Sequence, residues 1–309
     1  MINYYYKSLR SEEVKELEDY KRGAWVYVEA PSEREVAELV EKFKLDQSTI
    51  EDALDENEMP RLEKDGSTSY IFVRFAMTNE DGELMTMPLL FVFGEELLMT
   101  VSLVRLPPLS NFMSGKVEFA TTQRAKLVLQ ILNQISDHYD TYISVTSKQI
   151  KRIRAHLRQH DIGNQDFIDF VGIEDELNEF LSALIPTNAT LRRLLLGRYM
   201  PLFEEDQDIV EDLLLNNEQS IEACNSNMKS ITNIRDAYTS ISSNNLNRTI
   251  KILTIATVMI AIPNLFFSMY GMNIDLPFQH HIWAFTALLS FSVILLVVVG
   301  SYARRKRIF

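Results

Sequence analysis

The chain has 309 residues, 46% hydrophobic and 24% charged, with a formal net charge of −12, a length that suits about two domains. So acidic a chain argues against nucleic acid as a partner and suits cations. Its one cysteine, Cys224, excludes a disulfide within the chain.

The charge is unevenly spread. Of 31 bases and 43 acids, six bases (Arg248, Lys251, Arg304, Arg305, Lys306, Arg307) and one acid (Asp275) lie between Arg248 and Phe309, which leaves −17 over residues 1–247. The front part is therefore strongly acidic and the tail apolar with basic flanks. The start, "MINYYYKSLRSEEVKELEDY", has no apolar run of the signal-peptide type, so the front part is expected to stay in the cytoplasm.

In chain order, "AWVYVEA" (Ala24–Ala30) alternates like a strand. It runs into "PSEREVAELVEKF", where Ser32 and Glu35 stand at capping-box spacing for a helix start. "STIEDALD" reads as a second short helix. Next come "SYIFVRFAM", "LMTMPLLFVFG" and "LLMTVSLV", separated by the turn signals "TNEDGE" and "GEE". Such short turns favour antiparallel neighbours. From Thr121 the pattern becomes helical: Thr121 to Asp161, a break at "DIGN", Gln165 to about Arg198, and a third helix from near Phe203. In the third, Ile221, Cys224, Met228, Ile231, Ile234, Tyr238 and Ile241 form a narrow seam of the coiled-coil kind. No Gly or Pro interrupts residues 202–262, so this helix is expected to continue into the next segment. At about 1.5 Å per residue it would be roughly 100 Å long, and its simplest neighbours are copies of itself.

Two runs without charge follow, Ile252–Tyr270 with nineteen residues and Ile282–Tyr302 with twenty-one. Each matches the roughly 30 Å hydrocarbon thickness of a bilayer as a helix. Arg248 and Lys251 precede the first and "RRKR" follows the second, while the eleven residues Gly271–His281 carry no Lys or Arg. The positive-inside rule then places both chain ends in the cytoplasm and the loop outside.

The first span is not uniformly greasy. Asn247, Ile250, Leu253 or Thr254, Thr257, Ala261, Asn264 and Ser268 fall on one stripe at steps of three and four. The opposite side carries Ile255, Met259, Ile262, Phe266 and Met269. The stripe reads equally as a seam for close helix packing or as a water-lined path, and a path needs an oligomer because one hairpin encloses nothing. The second span has few polar groups and reads as lipid-facing.

Several smaller features carry two readings each. The six acids in "EEDQDIVED" (Glu204–Asp212) form either a solvated helix face or a cation site. His156 and His160 share a helix face but lack a third ligand, so no metal is expected there. His280–His281 reads as an interfacial turn or a Zn²⁺ site. No phosphate loop, nucleophile elbow or catalytic metal motif is present in the sequence, so the chain is not expected to be an enzyme.

"YGMN" (Tyr270–Asn273), at the end of the first of two C-terminal spans, is the signature of the CorA magnesium transporter family. The chain resembles that family over essentially its whole length, including "MPRLEKDGSTSYIFVRF" (Met59–Phe75). The resemblance implies an α/β N-terminal cytosolic domain, a long-helix stalk and two transmembrane helices, assembled as a funnel-shaped homopentamer. The expected divisions are a cytosolic α/β domain (1–120), antiparallel helices (121–202), stalk (203–251), first span (252–270), outer loop (271–281), second span (282–302) and basic tail (303–309). Tyr270, Gly271, Met272 and Asn273 would form the selectivity filter. Asn247, Ile250, Leu253, Thr257, Ala261, Asn264 and Ser268 would line the pore, with Ile250 and Leu253 as an apolar gate. Glu211 and Asp212 would hold a regulatory Mg²⁺. The outer loop departs from the family's acidic "MPEL"-like pattern, since "IDLPFQHHIW" keeps Asp275 as its one acid.

Mg²⁺ holds its waters at about 2.0–2.1 Å and dehydrates reluctantly. Five Asn273 amides would accept hydrogen bonds from those waters and release the ion readily, and Gly271 would allow the tight turn that brings them to the axis. The plainer alternative makes Asn273 a cap and Gly271 a helix stop. The function expected is Mg²⁺ uptake through the membrane, driven by the membrane potential and gated by cytosolic Mg²⁺. Transport of Co²⁺, Ni²⁺ or Zn²⁺ on the same scaffold, or a membrane-anchored cation sensor that conducts nothing, are the alternatives. The partners implied are other copies of the chain, membrane lipid and divalent cations.

Overall fold

The computed structural model, which describes residues 1–11, 13–79, 82–156, 164–274, 276–278 and 281–305, begins with two strands that the sequence pattern does not announce. These are β1 (Ile2–Tyr6) and β2 (Lys15–Leu17). Strand β3 (Trp25–Glu29) and helix α1 (Glu33–Phe43) follow as expected. The capping box is present: the Ser32 hydroxyl accepts from the Glu35 N–H, and the Ser32 N–H donates to the Glu35 carboxylate at 2.8 Å. Then come α2 (Gln47–Asp52), β4 (Arg61–Asp65), β5 (Thr68–Thr78), β6 (Leu84–Phe93), β7 (Leu98–Ser102) and the short α3 (Leu109–Met113).

The strands form one sheet in the order β2-β1-β3-β7-β6-β5-β4. Only β3 and β7 pair in parallel, with Trp25 opposite Leu98; every other neighbouring pair is antiparallel. One face packs on α1 and α2 through Val26, Val28, Tyr70, Phe72, Leu90 and Val92 against Val36, Leu39 and Ile50. The other meets α4 (Arg124–His156) and α5 (Asn164–Leu194). Because both faces are covered, Ser69–Ala76 are buried without a break, and these strands show continuous apolar runs instead of strict alternation. The edge strands β2 and β4 are short and charged, a composition that protects a free edge and also masks a strand in the sequence.

Arg74 lies in the middle of this buried stretch. Its Nε donates to Thr86 Oγ1 at 2.7 Å, its Nη1 to the carbonyls of Glu56 and Glu58 at 2.8 Å, and its Nη2 to Thr86 O at 2.7 Å. Glu179 on α5 faces Nη2 at 3.4 Å and accepts from the Thr86 hydroxyl at 2.5 Å. A buried guanidinium is tolerable when its donors are used and its charge is answered, and here both conditions tie α5 to the sheet.

One turn earlier, Glu176 is less well served. Its Oε2 is buried with no hydrogen-bond partner. Burial raises its pKa above the ordinary 4.5, and nearby Glu83 adds to the shift. An acid with a raised folded-state pKa is destabilising once pH passes above that value, and neutral in effect below its unfolded pKa. Glu176→Met is therefore expected to raise the melting temperature at pH 8, by the equivalent of about 1 kcal/mol for one orphaned polar atom, and to lose that advantage at pH 4. Calorimetry at the two pH values checks it; an equal shift at both would mean packing, not charge, is responsible.

Helix α4 begins three residues later than the helical pattern suggests. The reason is a long-range pairing: Thr121 meets Lys7, the Thr121 N–H donating to Lys7 O at 2.9 Å and the Lys7 N–H to Thr121 Oγ1 at 3.0 Å. Helix α5 ends at Leu194, where Gly197 adopts φ +69° and its N–H closes on Leu194 O. Helix α6 (Glu204–Tyr270) then runs 67 residues without interruption, and α7 (Trp283–Arg305) follows. The chain divides into two compact units, Met1–Thr232 and Asn233–Phe309.

Within the first unit, the α6 seam is occupied by this chain itself. Of the seam residues Cys224 and Ile231 are buried, as are Val210 and Leu213 ahead of them on the same helix. Asn217 donates to Leu184 O at 2.9 Å, Ser220 to Asp140 at 2.5 Å and Asn227 to Ser147 at 2.8 Å. The expectation that copies of the helix supply its neighbours is corrected for this stretch, where α4 and α5 do so. Burial pushes the Cys224 thiol up to about 12, so it behaves as an inert apolar filler.

Candidate ion pathway

Among the described residues two helices are long and apolar enough to cross a membrane, α6 and α7, and the apolar end of α6 lies with α7 in the second unit. Their mutual packing selects one side of α6. Phe266 meets Phe291 of α7 edge-on at 5.2 Å, and Phe267 meets Phe285 at 6.4 Å. A Cβ placed on Gly300 would come within 3.0 Å of Met259 Cε, so this glycine permits close approach of the helices. Ile255, Met259, Ile262 and Phe266 are half-buried in consequence.

The polar stripe lies elsewhere. Asn247, Ile250, Leu253, Thr254, Thr257, Ala261, Asn264 and Ser268 are all exposed. Within the chain the second span does not cover the stripe, so close helix packing, one of its two readings, would need a helix from another copy. The hydroxyls of Thr254 and Thr257 donate to Ile250 O and Leu253 O at 2.8 and 2.9 Å. A hydroxyl whose proton is spent on its own helix presents only lone pairs outward, the polarity that a cation's hydration shell can use. Helix α6 remains continuous through Pro263, which has no N–H to offer the Met259 carbonyl.

The helix closes at Tyr270. The Gly271 N–H bonds to Phe267 O at 3.1 Å and Ser268 O at 3.2 Å, and the Met272 N–H to Met269 O at 3.2 Å. Met272, Asn273 and Ile274 are exposed in the turn that follows. Gly271 is not in the left-handed region, and a Cβ there would meet the two carbonyl oxygens at an ordinary 3.5 Å. Gly271 therefore stands where the helix stops and the turn begins, without the left-handed backbone of a glycine cap. Tyr270 Oη donates to Pro277 O at 3.0 Å, fastening the loop to the helix end.

The far side of the loop is aromatic. Phe278, at φ +68°, meets Trp283 at 5.2 Å, and the His281 ring stacks on Trp283 at 5.7 Å. His281 thus joins an aromatic cluster of the kind found at membrane interfaces, a cluster that the His pair alone does not signal in the sequence. Asp275, His280, His160 and the side chain of His156 lie outside the described residues.

On α6 of the first unit, Glu211 and Asp212 are exposed beside buried Val210 and Leu213. Asp206, from the same acidic run, is buried and accepts from the Phe203 N–H at 3.1 Å, so it serves the helix start. Among the described residues no three His, Cys, Asp or Glu side chains are grouped to hold a metal ion. Two carboxylates do not fill the octahedral shell of Mg²⁺.

An α/β unit with two exposed apolar helices joined by a short turn defines a two-span membrane protein. Residues 20–305 match the family described as CorA-like Mg²⁺ transporter protein. The chain is 25% identical over 295 residues to the cobalt/magnesium transport protein CorA of Methanocaldococcus jannaschii, covering 93% of this chain and 92% of the relative. It is 27% identical over 299 residues to the magnesium transport protein CorA of Wolinella succinogenes, covering 92% and 90%. The complete structure of the M. jannaschii CorA magnesium transporter superposes with a TM-score of 0.86 at 23% identity, over 99% of this chain and 98% of that one. The chain belongs to the CorA family of Mg²⁺ transporters.

Proposed function

We propose that the chain forms a homopentameric channel that admits Mg²⁺ through a pore lined by α6. The observation that carries this reading is the uncovered stripe from Asn247 to Ser268, ending at exposed Asn273, on a helix whose apolar side is already taken by α7. In this reading the protein sits in the cell membrane with both ends in the cytoplasm. The stalk spans 203–251, and Tyr270–Asn273 stand at the outer mouth. The membrane potential drives entry, with about 4.6 kcal/mol per 100 mV for a divalent ion, twice the roughly 2.3 per unit charge.

Two relatives carry magnesium in their names and one carries cobalt as well, which supports Mg²⁺ first and Co²⁺ second. Ni²⁺ and Zn²⁺ remain the competing cargo. Closure by cytosolic Mg²⁺ rests on Glu211 and Asp212. Both are exposed on α6, and a neighbouring copy or water would supply the ligands that one chain lacks.

The test is ion flux into proteoliposomes under an imposed potential. Mg²⁺ entry that rises with an inside-negative potential and exceeds Zn²⁺ and Ni²⁺ entry is expected. Faster Zn²⁺ than Mg²⁺ entry would reassign the cargo, and no flux of any divalent ion would favour the anchored sensor. Asp212→Ala is expected to raise the Mg²⁺ concentration needed for inhibition by about tenfold, as loss of one charge-assisted ligand implies. An unchanged inhibition curve removes Asp212 from the regulatory site.

A further inference from the structure

In the first unit many cations are already answered by carboxylates: Arg22 by Glu96, Arg61 by Asp52 and Glu63, Arg74 by Glu179, Arg192 by Glu218. That is the outcome expected where acids outnumber bases. Lys64, Arg124 and Arg198 are different. Among the described residues none of them forms an ion pair, and all three line one cavity of about 330 Å³.

Four separate segments build this cavity: the β4–β5 hairpin with Lys64, Ser67 and Ser69, the β6–β7 turn, the first residue of α4, and the turn after α5. Lys64 Nζ donates to Arg198 O at 2.8 Å, which holds the hairpin to the α5 turn. Arg124 Nη1 donates to the carbonyls of Gly94 and Leu97, and its guanidinium lies 5.2 Å from the Phe93 ring centre. Its Nε and Nη2 hydrogens have no protein acceptor among the described residues. Arg198 is exposed and its side chain likewise has no partner there. Glu95 is the one acid on the cavity wall.

We propose that this cavity binds a phosphate-bearing anion. The half-buried Arg124 guanidinium has donors left over in a largely polar cavity, and a phosphate supplies the paired acceptors that arginine geometry matches. Glu96 also acts on Arg124 but is paired with Arg22, so the three wall cations against Glu95 leave an excess of positive charge suited to a dianion. The volume falls within the range of small-ligand sites, enough for a phosphate with an attached nucleoside. The ligand is held by side chains of the soluble unit alone, so this site is independent of the proposed pore.

The experiment is isothermal titration of the full-length protein in detergent micelles, with inorganic phosphate and with Mg²⁺-free ATP, at constant ionic strength maintained with chloride. Saturable binding of one or both is expected, weakened about tenfold or more by Arg198→Ala and by Lys64→Gln. Arg34→Ala, on the exposed face of α1, should bind as the unaltered protein does. Much tighter ATP than phosphate binding assigns the site to a nucleotide; comparable affinities assign it to free phosphate. Absence of saturable binding for both anions overturns the proposal. So does binding that survives both cavity substitutions, or that falls equally in Arg34→Ala.

Discussion

Asn273→Ala is expected to lower Mg²⁺ flux into proteoliposomes about 100-fold while the chain still folds and assembles. Asn273 is exposed in the turn after α6, so its removal deletes no buried contact of the chain. In the proposed pentamer five amide oxygens would accept hydrogen bonds from the waters of one ion. Each such bond contributes about 1 kcal/mol or less. Losing the ring therefore removes several kcal/mol at most, and a factor of about 100 in flux corresponds to roughly 2.7 kcal/mol of that. Gly271→Ala is the companion measurement. Its added methyl meets only carbonyl oxygens at 3.5 Å within the chain, so folding should be unaffected. A loss of flux there would report on crowding from neighbouring copies around the mouth. Flux in Asn273→Ala within about threefold of the unaltered protein would remove the ring assignment, whereas dispersal of the oligomer would make Asn273 an assembly residue.

How much of this was readable from the amino-acid sequence depends on the range of the interaction concerned. Helix α6 was legible because helix continuity is a local property: residues 202–262 hold no Gly or Pro, and the helix is continuous. The Ser32–Glu35 capping box was legible for the same reason. The stripe from Asn247 to Ser268 was legible as a face, because helical period fixes which side chains align. What covers that face was not, since the same small and polar residues suit a seam or a water path. Only the placement of α7 against Phe266 and Met259 shows that the seam reading fails within the chain.

The missed features are long-range. Strands β2 and β4 are short and charged because they are sheet edges, and an edge is defined by what lies beside it. Thr121 leaves the helical pattern because Lys7, 114 residues away, takes its hydrogen bonds. The seam at Cys224 and Ile231 has the period of an intermolecular coil, yet α4 and α5 fold back to bury it. The cation-lined cavity joins residues 64–69, 93–95, 124 and 197–201, and no spacing rule links segments so far apart.

Leu253→Asp is expected to raise Mg²⁺ flux about tenfold at a cytosolic Mg²⁺ concentration that closes the unaltered channel. Leu253 and Ile250 are 66% and 52% exposed on α6, the apolar members of a stripe that is otherwise small or polar. Fully burying one leucine side chain away from water is worth about 1.5–3 kcal/mol. A ring of five facing each other across a narrow axis would therefore favour a dry constriction, and a hydrated divalent ion meets its largest barrier where water is excluded. A carboxylate at this level both wets the constriction and attracts the cation. Leu253→Asn separates the two effects, because it adds polarity without charge. Equal gains in Asn and Asp would identify dewetting as the barrier; a gain in Asp alone would identify electrostatics. Leu253→Ile should change little, since it keeps size and polarity. If Leu253→Asp leaves flux unchanged at both low and high cytosolic Mg²⁺, Leu253 is not the constriction, and the barrier lies elsewhere on α6.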